Sequence, residues 1–138
     1  MDELSSREFI PFERGVEAGA DFVMTGYVSA PEVTGNGEPA VFSGPLTSLL
    51  RGVLGFDGVI ITDSLRMGAA NNAAGAGNAA ATAFAAGADM LLMPEDFGKA
   101  FAAVKDAVLS GAVPAGRLDE SVTRILLAKE ARGLIIWK

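Results

Sequence analysis

The chain has no histidine and no cysteine in its 138 residues. Without imidazole, a Ser-His-Asp triad, a Cys-His pair and histidine-ligated zinc are all excluded. Without thiols there is no disulfide framework and no thiolate chemistry. A missing cysteine fits any compartment, so location stays open. No run of 18 apolar residues occurs, so no segment reads as a membrane-spanning helix. The opening Met1-Asp2-Glu3-Leu4-Ser5-Ser6 is acidic and polar, unlike a secretory signal. There is no Gly-x-x-x-x-Gly-Lys-Ser/Thr loop for phosphates, and Gly75-Ala76-Gly77 lacks the full dinucleotide-binding spacing. Basic residues are in the minority, 11 against 17 acidic ones, for a net charge of −6. Such a chain is a poor partner for nucleic acid or an anionic membrane surface.

Half of the residues are hydrophobic, and 17 are glycine. With many alanines besides, this composition suits close packing of helices on a sheet and argues against disorder. The length fits a single domain over 1–138. One theme recurs. Ala18-Gly19-Ala20-Asp21 precedes Phe22-Val23-Met24; Gly55-Phe56-Asp57-Gly58 precedes Val59-Ile60-Ile61; Ala86-Gly87-Ala88-Asp89 precedes Met90-Leu91-Leu92-Met93. Each is a glycine that ends a helix, a short turn and an apolar strand. The spacing averages about 34 residues, the length of a strand with its crossover helix.

Strands are expected over 22–28, 59–62 and 90–93. Helices are expected over 5–18, with Phe9, Ile10, Phe12 and Val16 inward, and over 44–54, with Ser43 as N-cap. Further helices are expected over 78–86, 96–110 and 119–132. A polar loop over 29–43, a small-residue loop over 64–77 and an apolar tail over 134–137 complete the reading. A helix after every strand implies a parallel α/β sheet. The edges of that sheet, 22–28 and 90–93, carry little charge or proline to blunt them, which favours self-association or a complementary partner chain.

The most informative segment runs from Leu54 to Met67. An apolar, β-branched run, Val59-Ile60-Ile61, ends abruptly in Thr62-Asp63. Continuous apolarity marks a strand buried on both faces. A carboxylate at its C-terminal end stands where α/β barrels place their chemistry. The plainer alternative is that Asp63 caps a helix begun by Ser64-Leu65-Arg66-Met67.

Gly55-Phe56-Asp57-Gly58-Val59-Ile60-Ile61-Thr62-Asp63-Ser64-Leu65-Arg66-Met67 closely resembles the nucleophile segment of glycoside hydrolase family 3, especially its β-N-acetylhexosaminidase branch. The β-glucosidase branch more often has Trp where Ser64 stands. The resemblance extends through Phe9-Ile10-Pro11-Phe12, Met24-Thr25-Gly26-Tyr27, Gly87-Ala88-Asp89-Met90-Leu91-Leu92-Met93-Pro94 and Arg117-Leu118-Asp119-Glu120-Ser121-Val122. It implies a partial (β/α)8 TIM barrel: three parallel strands with crossover and closing helices, the C-terminal segment of a family 3 N-terminal-type barrel. A complete barrel has eight strands and ~250 residues.

The resemblance assigns Asp63 the attack on the anomeric carbon. It puts Tyr27 where the family often has His, as a substrate-binding candidate set against half-buried packing. It puts Met67 beside the sugar site. The family's acid/base is an Asp-His pair on a loop upstream of these motifs, and a chain without histidine does not carry it. The implied whole reaction is retaining hydrolysis of terminal β-linked N-acetylglucosamine, with no metal or other cofactor, a carbohydrate substrate, and no nucleic acid or membrane as partner. The alternatives are a non-catalytic α/β domain that assembles with another chain and a β-glucosidase-type segment. Among the other polar residues, Arg66 and Glu32 read as solvated. Asp96 reads as a helix cap and Glu95 as a substitute acid/base. Asp21, Asp57 and Asp89 precede strands and read as turn residues.

Overall fold

A computed structural model describes residues 4–67 and 78–136. The small-residue stretch 68–77 and the end of the apolar tail lie outside them. A π-helical turn, Leu4–Glu8, leads into α1, Ile10–Glu17. Then follow β1 (Phe22–Thr25), a one-turn helix α2 (Pro31–Thr34), a 3-10 turn (Ala40–Phe42) and α3 (Gly44–Gly52). β2 (Val59–Thr62), α4 (Ala79–Ala85), α5 (Phe97–Leu109) and α6 (Ala115–Ala131) complete the order.

β1 and β2 pair in parallel, Phe22 opposite Val59 and Thr25 opposite Thr62. β2 is the central strand, as its composition requires: Val59, Ile60 and Thr62 are buried. On its other side lies the third expected strand, and here the expectation needs correction. Residues 90–93 form no regular strand. They join β2 through one parallel bridge, Ile61 to Met90, after which the ladder passes to a side chain. Thr62 N–H donates to Met90 O at 3.0 Å, but Leu92 N–H is taken by Thr62 Oγ1 at 2.9 Å. Hydroxyl replaces carbonyl as acceptor, and the segment leaves strand geometry. At Met93 the backbone enters the left-handed region, φ 46°, just before Pro94, which turns the chain out of the sheet.

The core forms between β2 and the helices. Ile60 and Phe56 meet Leu50 of α3 and the alanine face of α4. Ala79, Ala80 and Ala83 are buried, and their small side chains let α4 pack closely on α5. The loop expected over 29–43 is more ordered than its composition suggests. Ala40 N–H and Val41 N–H return to Val28 O and Gly26 O at 2.9 Å each, and the 3-10 turn buries Val41 and Phe42 in the core.

Both capping expectations hold. Ser43 Oγ accepts from Leu46 N–H at 3.4 Å, and Asp96 Oδ1 accepts from Lys99 N–H at 3.0 Å. The last helix starts four residues early because Pro114, extended at φ −58° and ψ 138°, is itself its N-cap. α1 departs from expectation in packing. Its Ile10 and Phe12 remain exposed. Phe9 and Phe12 line an open apolar cleft of about 340 Å³ shared with Val23, Leu46 and Leu54.

Candidate active site at the strand ends

Asp63 is the first residue beyond β2. Its N–H still donates to Thr25 O of β1, at 2.8 Å, so the sheet fixes its backbone. Its Oδ1 accepts the N–H of Ser64 at 2.6 Å. Residues 64–67 make a turn closed by Met67 N–H on Ser64 O at 3.2 Å, and the next described helix is α4. The helix-capping reading therefore finds no helix at 64–67, and the half-buried carboxylate stays at the strand end.

Tyr27 reaches the same point from the other strand. It follows β1 by two residues, packs edge-on against Phe42 with ring centroids 6.1 Å apart, and donates its hydroxyl proton to Ser64 O at 2.9 Å. Burial, and second the nearby negative charge of Asp63, hold the phenol above its ordinary pKa. Tyr27 is thus a protonated donor whose oxygen keeps lone pairs for another partner. Leu65, buried, donates its N–H to Leu92 O at 2.9 Å, bringing the end of the third segment against the turn.

Of the expected site residues, Asp63 and Tyr27 are brought together across two strands. Met67 lies exposed at the end of the turn. Arg66 is exposed, as a solvated residue should be, and Glu95 is exposed beyond Pro94. Asp96 is occupied as the cap of α5, and the N–H of Lys99 holds its carboxyl below the usual range.

Asp89 departs from the turn role expected of it. Its side chain is 0% exposed and sits under three guanidinium groups, those of Arg51, Arg117 and Arg124. It also accepts from Ile60 N–H at 2.9 Å and Ser121 Oγ at 2.8 Å. The sequence did hold a signal: Arg117, Ser121 and Arg124 are spaced to share one face of a helix. Asp21 pairs with Arg132, its Nε 2.9 Å away; Asp57 is exposed, as a turn residue would be. Both ion clusters lie at the N-terminal end of β2, opposite Asp63.

A parallel α/β sheet with Asp63 and Tyr27 at its C-terminal strand ends has the layout of a barrel segment. The chain matches the glycosyl hydrolase family 3 N-terminal domain over residues 1–128 and belongs to that family. It is 36% identical to a β-hexosaminidase of Stenotrophomonas maltophilia (strain K279a), over 99% of this chain and 38% of that protein. The chain thus spans little more than a third of the curated relatives it matches. Among solved structures it is similar to a family 3 β-N-acetylglucosaminidase from Paenibacillus sp. str. FPU-7. That match has TM-score 0.91 and 38% identity, over 99% of this chain and 27% of the other. It is also similar to a β-glucoside phosphorylase, with TM-score 0.89 and 29% identity, over 96% and 26%. The fold is accordingly that of a family 3 TIM-barrel-like domain. No helix among the described residues is long and apolar enough to cross a membrane.

Proposed function

We propose that this chain supplies the nucleophile half of a retaining β-N-acetylglucosaminidase, and that it is the C-terminal part of the catalytic barrel. The observation that carries the proposal is the placing of Asp63. Asp63 stands at the C-terminal end of the buried central strand, its backbone N–H donating to Thr25 O and its carboxylate accepting from Ser64 N–H, inside a segment that resembles the family's nucleophile motif. An ionised oxygen of Asp63 attacks the anomeric carbon as the bond to the leaving-group oxygen breaks. The proton for that oxygen comes from an acid outside this chain. Water then displaces Asp63, and the configuration is retained. Tyr27 Oη, its proton given to Ser64 O, accepts a hydrogen bond from a sugar hydroxyl. Met67 offers an apolar surface beside the ring.

The acid/base is the missing part, since the chain has no histidine for an Asp-His pair. Leaving-group protonation typically contributes 10²–10⁴-fold, so the purified chain alone should show no appreciable turnover of an aryl β-N-acetylglucosaminide. Co-expression with the upstream barrel segment of the Stenotrophomonas relative should restore it. A fluorinated glycoside that slows the second step should then label the peptide containing Asp63. Asp63→Asn should abolish both label and turnover with little effect on folding. Label elsewhere, or an Asn variant that keeps most of its rate, overturns the assignment. The likeness to a β-glucoside phosphorylase favours a second reading, a β-glucoside-acting segment, which the same assay separates by preferring an aryl β-glucoside.

A further inference from the structure

At the end of β2 opposite Asp63, a cleft of about 410 Å³ opens between α3, the Ala85–Gly87 turn and the first turns of α6. Arg51, Arg117 and Arg124 line it. Their side chains are 18–25% exposed, so each guanidinium is largely withdrawn from water but still meets the cleft.

Behind them stands a single buried carboxylate. Asp89 Oδ1 takes Arg117 Nη1 at 3.1 Å, Ser121 Oγ at 2.8 Å and Arg124 Nη1 at 3.4 Å. Oδ2 takes Arg51 Nη2 at 2.6 Å and Ile60 N–H at 2.9 Å. Five donors on two oxygens use up its accepting capacity. One negative charge therefore faces three positive ones. Glu120, the other acid, also lines the cleft, 3.7 Å from Arg124, but is 60% exposed, where water screens it.

The arginines differ in how far they are occupied. Arg51 also donates to Phe56 O and Gly58 O, at 2.7 and 2.6 Å, and Arg117 to Ala88 O at 2.9 Å. Arg124 has the long contacts to Asp89 and Glu120. Like charges crowd here. Burial first, and then repulsion from Arg124 and Arg117, lower the pKa of Arg51, while Asp89 pulls the other way. A planar fork of N–H donors in a partly dry, positive cleft is what recognises a tetrahedral oxyanion.

We propose that this cleft binds a phosphate-type anion, with Arg124 as its main ligand and Arg51 and Arg117 supplying the surrounding field. The phosphoryl group is that of free inorganic phosphate or of a phosphorylated sugar. The site stands apart from the glycosidase reading. It lies about 13 Å from Asp63 along the strand and needs no second chain.

The test uses the purified 138-residue chain at constant pH and ionic strength. Amide NMR is followed while inorganic phosphate, glucose 6-phosphate, glucose or chloride is added. Saturable shifts confined to amides around Ser48, Gly87 and Arg124, with a rise in Tm, are expected for the two phosphates. Tighter binding of glucose 6-phosphate identifies the phosphosugar as the source; equal affinity identifies the free ion; either supports the site. No saturable shift, or the same shifts with chloride, overturns it. Arg124→Gln should weaken binding about tenfold or more. Should that variant fail to fold, Ser48→Glu decides. It adds a carboxylate to the exposed wall on α3 without touching Asp89, and it should abolish binding. Unchanged affinity in whichever variant folds overturns the proposal.

Discussion

Tyr27 is the one tyrosine of the chain, so the growth of tyrosinate absorbance with pH reports a single group. Burial and the charge of Asp63 raise its pKa. The midpoint should therefore lie above that of free tyrosine, and Asp63→Asn should bring it partway down by removing the nearby charge. An unchanged midpoint in Asp63→Asn would mean that the two side chains are uncoupled. The stability consequence has a definite sign. The folded chain keeps the phenol proton longer than the unfolded one, so this contribution is intact below about pH 10, the unfolded value. It is lost as pH climbs through the folded value. Urea unfolding of Tyr27→Phe should show a shallower alkaline decline than the parent.

Asp89 sets the other residue-scale expectation. Removing its charge leaves three guanidinium groups withdrawn from water without their partner. Asp89→Asn should cost about 3–5 kcal/mol in urea unfolding, as breaking a buried ion pair generally does. That is a large share of the 5–15 kcal/mol typical of a domain. A cost below about 1 kcal/mol would show that the cluster is dispensable. The contrast between the aspartates says what a sequence reveals. The position of Asp63 at a strand end is legible because its setting, the end of an all-apolar run, is local. The role of Asp89 is not, because its partners at 51, 117 and 124 are dispersed along the chain, and nothing in Gly87-Ala88-Asp89 distinguishes it from Asp21.

Between α4 and the third segment, Gly87 adopts φ +116°, and a Cβ there would come within 2.6 Å of Thr47 Oγ1. Thr47 cannot yield easily, since its one hydroxyl proton lies between two carbonyl acceptors, Gly44 O at 3.0 Å and Ala86 O. Gly87→Ala should therefore destabilise by at least about 2 kcal/mol, backbone strain and contact acting together. Thermal unfolding checks this, and an unaltered Tm would show that the turn relaxes freely. At this scale the first two copies of the glycine-turn-strand theme, the helices that follow them and the caps Ser43 and Asp96 are readable, because propensity and tertiary packing agree there. Val41 and Phe42 are not, because proline and glycine around them make the segment look like surface loop while its backbone returns to Gly26 and Val28. The third strand fails to form because Thr62 offers a hydroxyl where a ladder would offer a carbonyl.

The whole molecule keeps apolar groups on its outside. Phe22 and Met24 of β1 are about half exposed, and Phe97 and Phe101 of α5 stack in the open with centroids 6.3 Å apart. With β2 central, β1 and the 90–93 segment are the two edges. Such surfaces favour association. The chain should sediment at micromolar concentration as a dimer or larger species, and the complementary barrel segment should convert it to a defined complex. A clean monomer with cooperative unfolding would count against both. At this scale the motifs led directly to family 3. The exposure of Ile10 and Phe12 on α1 was not legible, since an amphipathic pattern names the face to be covered and not what covers it.

The ion cluster beneath β2 also sets an order of events during synthesis. Asp89 leaves the ribosome after Arg51 but ahead of Arg124, which follows it by 35 residues. At ~5–20 residues per second, a few seconds pass in which the carboxylate has one of its three arginines. Until α6 emerges, the carboxylate has Arg51 and Ile60 N–H but lacks Ser121, Arg117 and Arg124, so the third segment should be held less firmly against Ile60. The turn that bears Asp63, tied to the third segment through Leu65 N–H and Leu92 O, should therefore become fully rigid only once α6 docks.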